Sequence, residues 1–193
     1  MLGKLLKVIA DYTGGRKKDP QLAELKLKKK QAKAYFNSGN AHFNRNENDE
    51  ALMDFIKAIE IDPKYTEAYR YRATVWYLKH ELDKAILDFN SAIELNPLDF
   101  GALSLRAEAH IQTKDFDKAI SDCTTAIALN PKFAAAYGTR GKAYIQKQEF
   151  LQALLDFDRA IKLGCKEEQI PTLRFIAAIE IQKLEIIKRR PNQ

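Results

Sequence analysis

Glycine and proline are scarce, with eight and six in 193 residues. That scarcity argues against an all-β or loop-rich chain. Cysteine is scarcer still. Cys123 and Cys165 are the only two, and they form no CxxC pair and no metal-ligand cluster. Neither a disulfide framework nor a zinc site is expected, and a reducing compartment, the cytoplasm, is the simplest home. No run of 18 apolar residues occurs, so no membrane-spanning helix is expected. The opening MLGKLLKVIADYTGG has a short apolar stretch interrupted by Lys7, which does not read as a secretory signal. Asp11 and the lack of serine there weigh against an organellar transit peptide. A phosphate-binding glycine loop is also missing, since Gly14-Gly15 reads as a flexible link.

The chemistry-bearing residues are few as well. His42 and His110 lie 68 residues apart with no third ligand nearby. They read as packed helix residues, and His80 as a solvent-facing turn residue. Cys123 has no paired histidine and orienting acid in the pattern of a nucleophile, and reads as buried and inert. The expectation is a non-enzymatic chain with no catalytic residues, no cofactor and no metal.

What is present points to helices. Hydrophobic residues make up 46% and charged residues 30%, with long stretches rich in Ala, Leu, Lys and Glu. The net charge of +6 is uneven. Residues 1–34 carry ten Lys/Arg against three Asp/Glu, residues 35–165 carry 16 against 19, and residues 166–193 carry six against four. The basic character therefore belongs to the N-terminal extension and not to the body.

A fixed period dominates the body. Pro63, Pro97 and Pro131 are spaced by 34, and one more step lands on Cys165. Ala51, Ala85, Ala119 and Ala153 share that spacing, as do Ala58, Ala92, Ala126 and Ala160. Asp54, Asp88, Asp122 and Asp156 form a third column. Each proline sits where it stops a helix and forces a turn. One such hairpin cannot bury its apolar face alone, so neighbours must stack.

These columns resemble the tetratricopeptide repeat family, whose unit is a helix–turn–helix of 34 residues. In that register the repeats run 32–65, 66–99, 100–133 and 134–167, between a basic extension at 1–31 and a capping segment at 168–193. Position 4 of the unit carries Tyr35, Tyr69 and Tyr137, with Leu103 departing from the pattern. Position 8 carries Gly39, Ala73, Ala107 and Gly141; position 11 carries His42, Trp76, His110 and Tyr144; position 24 carries Phe55, Phe89, Cys123 and Phe157. The resemblance implies an all-α, right-handed superhelical solenoid of four hairpins with a C-terminal capping helix. It implies a protein-binding scaffold.

Arg72, Arg106 and Arg140 share position 7 and the aspartates share position 23, while Ser38 breaks the arginine column. One reading is a stripe for an acidic ligand. The other is a structural ladder of ion pairs, and it is favoured because each arginine has an aspartate in register and an unpaired buried charge is costly.

The resemblance places ligand binding on the concave face, at first-helix positions 2, 5, 9, 12 and 13. Carried over, repeat one supplies Lys33, Phe36, Asn40, Phe43 and Asn44, and repeat two Glu67, Arg70, Thr74, Tyr77 and Leu78. Repeat three supplies Gly101, Ser104, Glu108, Ile111 and Gln112, and repeat four Ala135, Gly138, Lys142, Ile145 and Gln146. Position 12 is apolar throughout, which suits a peptide with apolar anchors. The alternative is that this column packs against neighbouring hairpins. One subclass of the family grips the acidic tails of heat-shock chaperones with Lys and Asn, then Asn, then Lys and Arg. The matching positions here are Phe36, Asn40, Tyr71, Gly101 and Leu105, of which Asn40 alone agrees. The substitution of the rest argues against chaperone tails as partners.

The two ends add further expectations. Asp19-Pro20 is a helix start, an N-cap followed by proline at the first helical position. Pro171 is expected to open a helix through about Lys188, with more apolar residues than one packing stripe needs. Phe175, Ile179 and Ile186 form one set, and Leu173, Ile176, Leu184 and Ile187 another. One set can cover repeat four; the other marks a possible interface with a second copy or a partner subunit. The extension carries Arg16-Lys17-Lys18, Lys28-Lys29-Lys30, and Leu2, Leu5, Leu6 and Ile9 at helical spacing. Contact with an anionic membrane or with nucleic acid is one reading, and a solvated tail the other. No aromatics interleave the basic runs, which weakens the nucleic-acid reading. Three functional readings therefore stand: a groove-binding adaptor first, then a structural subunit held through the C-terminal helix, then a membrane- or nucleic-acid-associated factor.

Overall fold

A computed structural model describes residues 19–189. They form nine helices and no strand: α1 (Pro20–Asn44), α2 (Asn48–Ile61), α3 (Thr66–Leu78), α4 (Leu82–Leu95), α5 (Phe100–Gln112), α6 (Phe116–Leu129), α7 (Ala134–Gln146), α8 (Phe150–Lys162) and α9 (Gln169–Arg189). Consecutive pairs from α1/α2 to α7/α8 are the four hairpins, stacked in chain order with α9 against the last. The side chain of Asp19 caps α1 by accepting from the Gln21 N–H, and Pro20 occupies the first turn. The first three turns of α1 are exposed, and its first buried residue is Ala32.

The turns repeat as faithfully as the helices. Asn46, His80, Lys114 and Gln148 each close the turn inside a hairpin with φ between 60° and 64°. The next residue's N–H then reaches back to the carbonyl five residues earlier, as Glu47 does to His42 and Asp115 to His110. Between hairpins, Asp62, Asn96 and Asn130 each accept from the N–H two residues on, across Pro63, Pro97 and Pro131. The fourth hairpin departs from this. Gly164 takes φ of 79°, and the chain runs into α9.

Small residues let the two helices of a hairpin meet. A Cβ on Gly39 would stand 2.8 Å from the Phe55 ring, and one on Gly141 2.5 Å from the Phe157 ring. Phe55, Phe89 and Phe157 are fully buried, each against the alanine columns of its own hairpin. Truncating one of them to alanine costs about 3–5 kcal/mol on ordinary cavity arithmetic.

The arginine and aspartate columns meet inside each hairpin. Arg72 grips Asp88 through two hydrogen bonds of 2.7 Å. Arg106 does the same to Asp122 at 2.8 and 2.7 Å, and Arg140 to Asp156 at 2.8 and 2.9 Å. All three carboxylates are buried. Asp54 has no arginine opposite it, since Ser38 breaks that column, and the His42 Nε2 lies 3.7 Å away. Two of these arginines also tie their hairpin to the one before, Arg106 to Asn90 and Arg140 to Thr124.

Arg174 continues that series by donating to Asp158, again 16 residues back. It stands 34 after Arg140. Thus α9 lies in the register of the first helix of a fifth hairpin. Ile170 and Ala177 are buried where Ala136 and Ala143 are buried in α7. Phe175 falls in the column of Gly39, Ala73, Ala107 and Gly141, the residues that admit a second helix. In place of those small residues α9 carries an exposed phenyl ring.

Two expectations for this helix need correction. It starts at Gln169 rather than Pro171, because a proline within the first turn withholds an N–H that has no partner anyway. Its packing face is neither of the two expected sets. Ile170, Leu173 and Ala177 cover repeat four, so Leu173 separates from its companions. Phe175, Ile176, Leu184 and Ile186 are exposed and Ile179 is half-buried. The Ile187 side chain and residues 1–18, with their basic and apolar motifs, lie outside the described residues; Lys28, Lys29 and Lys30 lie on the exposed part of α1.

Candidate peptide-binding groove

The small residues of the first helices decide where a cleft opens between the hairpins. Repeat one fills its own part. The Phe36 ring lies 5.8 Å from Phe55, 5.0 Å from Tyr65 and 5.3 Å from Tyr71 between ring centres. Phe43 meets Tyr71 edge-on at 6.0 Å. These aromatics are structural contacts between hairpins. The whole position-12 column behaves alike: Phe43, Tyr77, Ile111 and Ile145 are half-buried, each packed on a core cluster. Each of these side chains packs on a core cluster with part of its surface and exposes the rest. Asn44 and Leu78 are exposed, Asn40 is partly exposed, and the Thr74 hydroxyl donates to the Arg70 carbonyl.

Further along, glycine, serine and alanine replace the aromatics, and a cleft of about 550 Å³ opens across repeats two to four. Of the carried-over groove residues, Arg70, Gly101, Ser104, Glu108 and Ala135 line it. Phe100, Phe133, Leu105 and Thr139 complete the wall, with Asp99 and Glu167 at the edges. Phe100 and Phe133 meet edge-on with centres 4.9 Å apart. These two are the first residue of α5 and the residue just before α7, positions the family's concave-face pattern does not include. Their signal was only an aromatic after each Asn-Pro turn.

The charges in the cleft are largely paired with one another. Arg70 Nε lies 3.2 Å from Asp99 Oδ2, and Asp99 Oδ1 caps α5 through the Ala102 N–H. Lys142 Nζ sits 3.1 Å from Glu108 and 2.6 Å from Glu167. The Thr139 hydroxyl donates to the same Glu108 oxygen at 2.5 Å. Both carboxylates hold the Lys142 ammonium above the usual lysine range, against the opposing effect of its burial. Burial, then Glu108, pushes the Tyr77 phenol up. Cys123 is buried and its thiol is raised by burial, which leaves it a poor nucleophile. Among the described residues, no group of three or more His, Cys, Asp or Glu side chains could hold a metal. No helix there is long and apolar enough to cross a membrane.

The profile of the tetratricopeptide repeat family matches residues 32–65 and again residues 100–133. The chain carries tetratricopeptide repeats. No curated protein matches it by sequence. Solved structures of tetratricopeptide repeat (TPR) domains share its fold. The TPR2B domain of yeast Sti1, solved in complex with pHsp70, superposes with a TM-score of 0.57 at 27% identity over 60% of this chain and 97% of that one. The first TPR of Spaghetti (RPAP3), bound to the HSP90 peptide SRMEEVD, gives 0.60 at 23% over 63% and 96%. PilF of Pseudomonas aeruginosa gives 0.72 at 18% over 81% and 71%. These likenesses extend to the solenoid rather than to a shared ligand.

Proposed function

We propose that this tetratricopeptide repeat protein is a non-catalytic, cytoplasmic adaptor that binds a protein segment in the cleft of repeats two to four. The observation that carries this reading is the cleft itself. It is aromatic-walled, open, and placed where small residues replace the packed aromatics of repeat one. Peptide-bound neighbours of the same fold support it. The chemistry of an acidic chaperone tail does not carry over, because Gly101 and Leu105 stand in the cleft where that subclass has Lys and Arg. The test is affinity capture with mass spectrometry, comparing wild type with Ala135→Trp, which fills the cleft from the first turn of α7. The adaptor reading expects the principal partner to be lost at unchanged melting temperature. A partner set that Ala135→Trp leaves intact contradicts it.

A second reading rests on α9. Phe175 is 64% exposed, and Ile176, Leu184 and Ile186 are between 40% and 49% exposed. A terminal repeat normally ends in a polar face. This helix therefore also suits contact with a second copy or a partner subunit.

A further inference from the structure

Taking the adaptor reading as given, we propose that the cleft selects a segment that places a bulky apolar side chain beside a basic one. The apolar half of the argument is the wall. Phe100, Phe133, Leu105 and Ala135 present carbon surface, and the Gly101 backbone leaves the floor open. A Cβ there would meet the Asp99 carboxylate at 3.1 Å, so the floor is a place only glycine keeps clear without a shift. An inserted aromatic or leucine side chain gains the ordinary benefit of leaving water.

The basic half is charge complementarity. Two cations, Arg70 and Lys142, face three carboxylates, Asp99, Glu108 and Glu167, which leaves the cleft one negative charge in excess. Lys142 is already held by two of those carboxylates, and Arg70 sits against the third. Each glutamate bonds Lys142 through one oxygen, Glu108 through Oε1 and Glu167 through Oε2. A carboxylate oxygen can only accept, so the second oxygen of each is suited to a donor from a ligand. Partial burial raises the value of such a charge-assisted bond above that of a surface pair. An acidic segment, by contrast, would meet the Asp99 carboxylate beside Arg70, whose buried Nε lies 3.2 Å from Asp99 Oδ2 without a hydrogen bond, and would have to displace a glutamate from Lys142.

The probes are capped pentapeptides with the cores Lys-Phe-Lys, Glu-Phe-Glu and Lys-Ala-Lys, titrated into the isotope-labelled full chain and followed by amide chemical shifts. The Lys-Phe-Lys probe is expected to shift Gly101, Ser104 and Glu108, to bind about tenfold more tightly than Glu-Phe-Glu, the size of one good partly buried charge pair, and to bind about tenfold more tightly than Lys-Ala-Lys, which lacks the buried ring. Glu108→Gln/Glu167→Gln turns the excess positive and should reverse the order of the two charged probes. Should that double variant lose structure by stranding Lys142, Lys142→Met provides the complementary test. It frees both carboxylates and should tighten Lys-Phe-Lys binding severalfold. A Glu-Phe-Glu probe that binds as well as or better than Lys-Phe-Lys overturns the inference and assigns Arg70 to an anion. So does the absence of any shift in the cleft. If partner capture still depends on Ala135→Trp in that event, the groove reading survives and only the ligand chemistry fails.

Discussion

At the scale of single residues, the columns do two different jobs. Arg106 and Asp122 are 20% and 10% exposed at their side chains and joined by two short bonds. The arginine also crosses to Asn90 of the preceding hairpin. Removing it strands a buried carboxylate, so Arg106→Ala is expected to cost about 3 kcal/mol, read as a lower melting temperature. An unchanged melt would mean that Asp122 finds water or another donor. His110 is buried with Nδ1 unbonded, 3.8 Å from Asp115. Burial is the main reason its imidazole lies below the ordinary histidine value; Arg106 and Lys118 act the same way, against Asp122 and Asp115. The unfolded chain therefore takes up this proton first. The contribution is whole above about pH 6.5 and declines as pH falls below it. Melting temperature should drop between pH 7.5 and pH 5, and His110→Gln should flatten that slope. An equal slope in both proteins would assign it to other groups.

At the scale of helices, the sequence pattern made the hairpins legible because every repeat needs the same small residues, the same left-handed turn and the same proline. The periodic columns predicted the four hairpins, and the arginine column pointed to Asp88, Asp122 and Asp156. Two things were not legible. Whether an apolar first-helix residue faces a ligand or the next hairpin depends on the superhelix, and Phe36, Phe43 and Tyr77 pack between hairpins. Where the packing stripe of α9 lies depends on which helix it meets. Here that helix is set by the repeat register, which selects Ile170 and Ala177. Ile170→Ala is therefore expected to cost about 3 kcal/mol and to speed amide exchange along α9. Phe175→Glu should leave stability unchanged, and in the subunit reading it removes an association seen by light scattering. A melt that Phe175→Glu lowers as much as Ile170→Ala would place Phe175 in the core instead.

At the scale of the whole molecule, a solenoid with a closed first repeat and an open second half has a direction. Aromatics weld hairpins one and two together, while the cleft occupies the turns from Arg70 to Glu167. A chain that only served as a rigid spacer would not need that opening, and a chain that bound through its convex side would not need its walls. The claim reduces to where a partner touches. The most direct measurement replaces the cleft-wall ring of Phe133 by a photo-crosslinking phenylalanine analogue in one variant and the exposed Leu87 of α4 in another, then identifies what each captures under light. The groove account predicts a discrete partner crosslinked from position 133 and none from position 87. Capture of the same partner from position 87, with nothing from position 133, would contradict it.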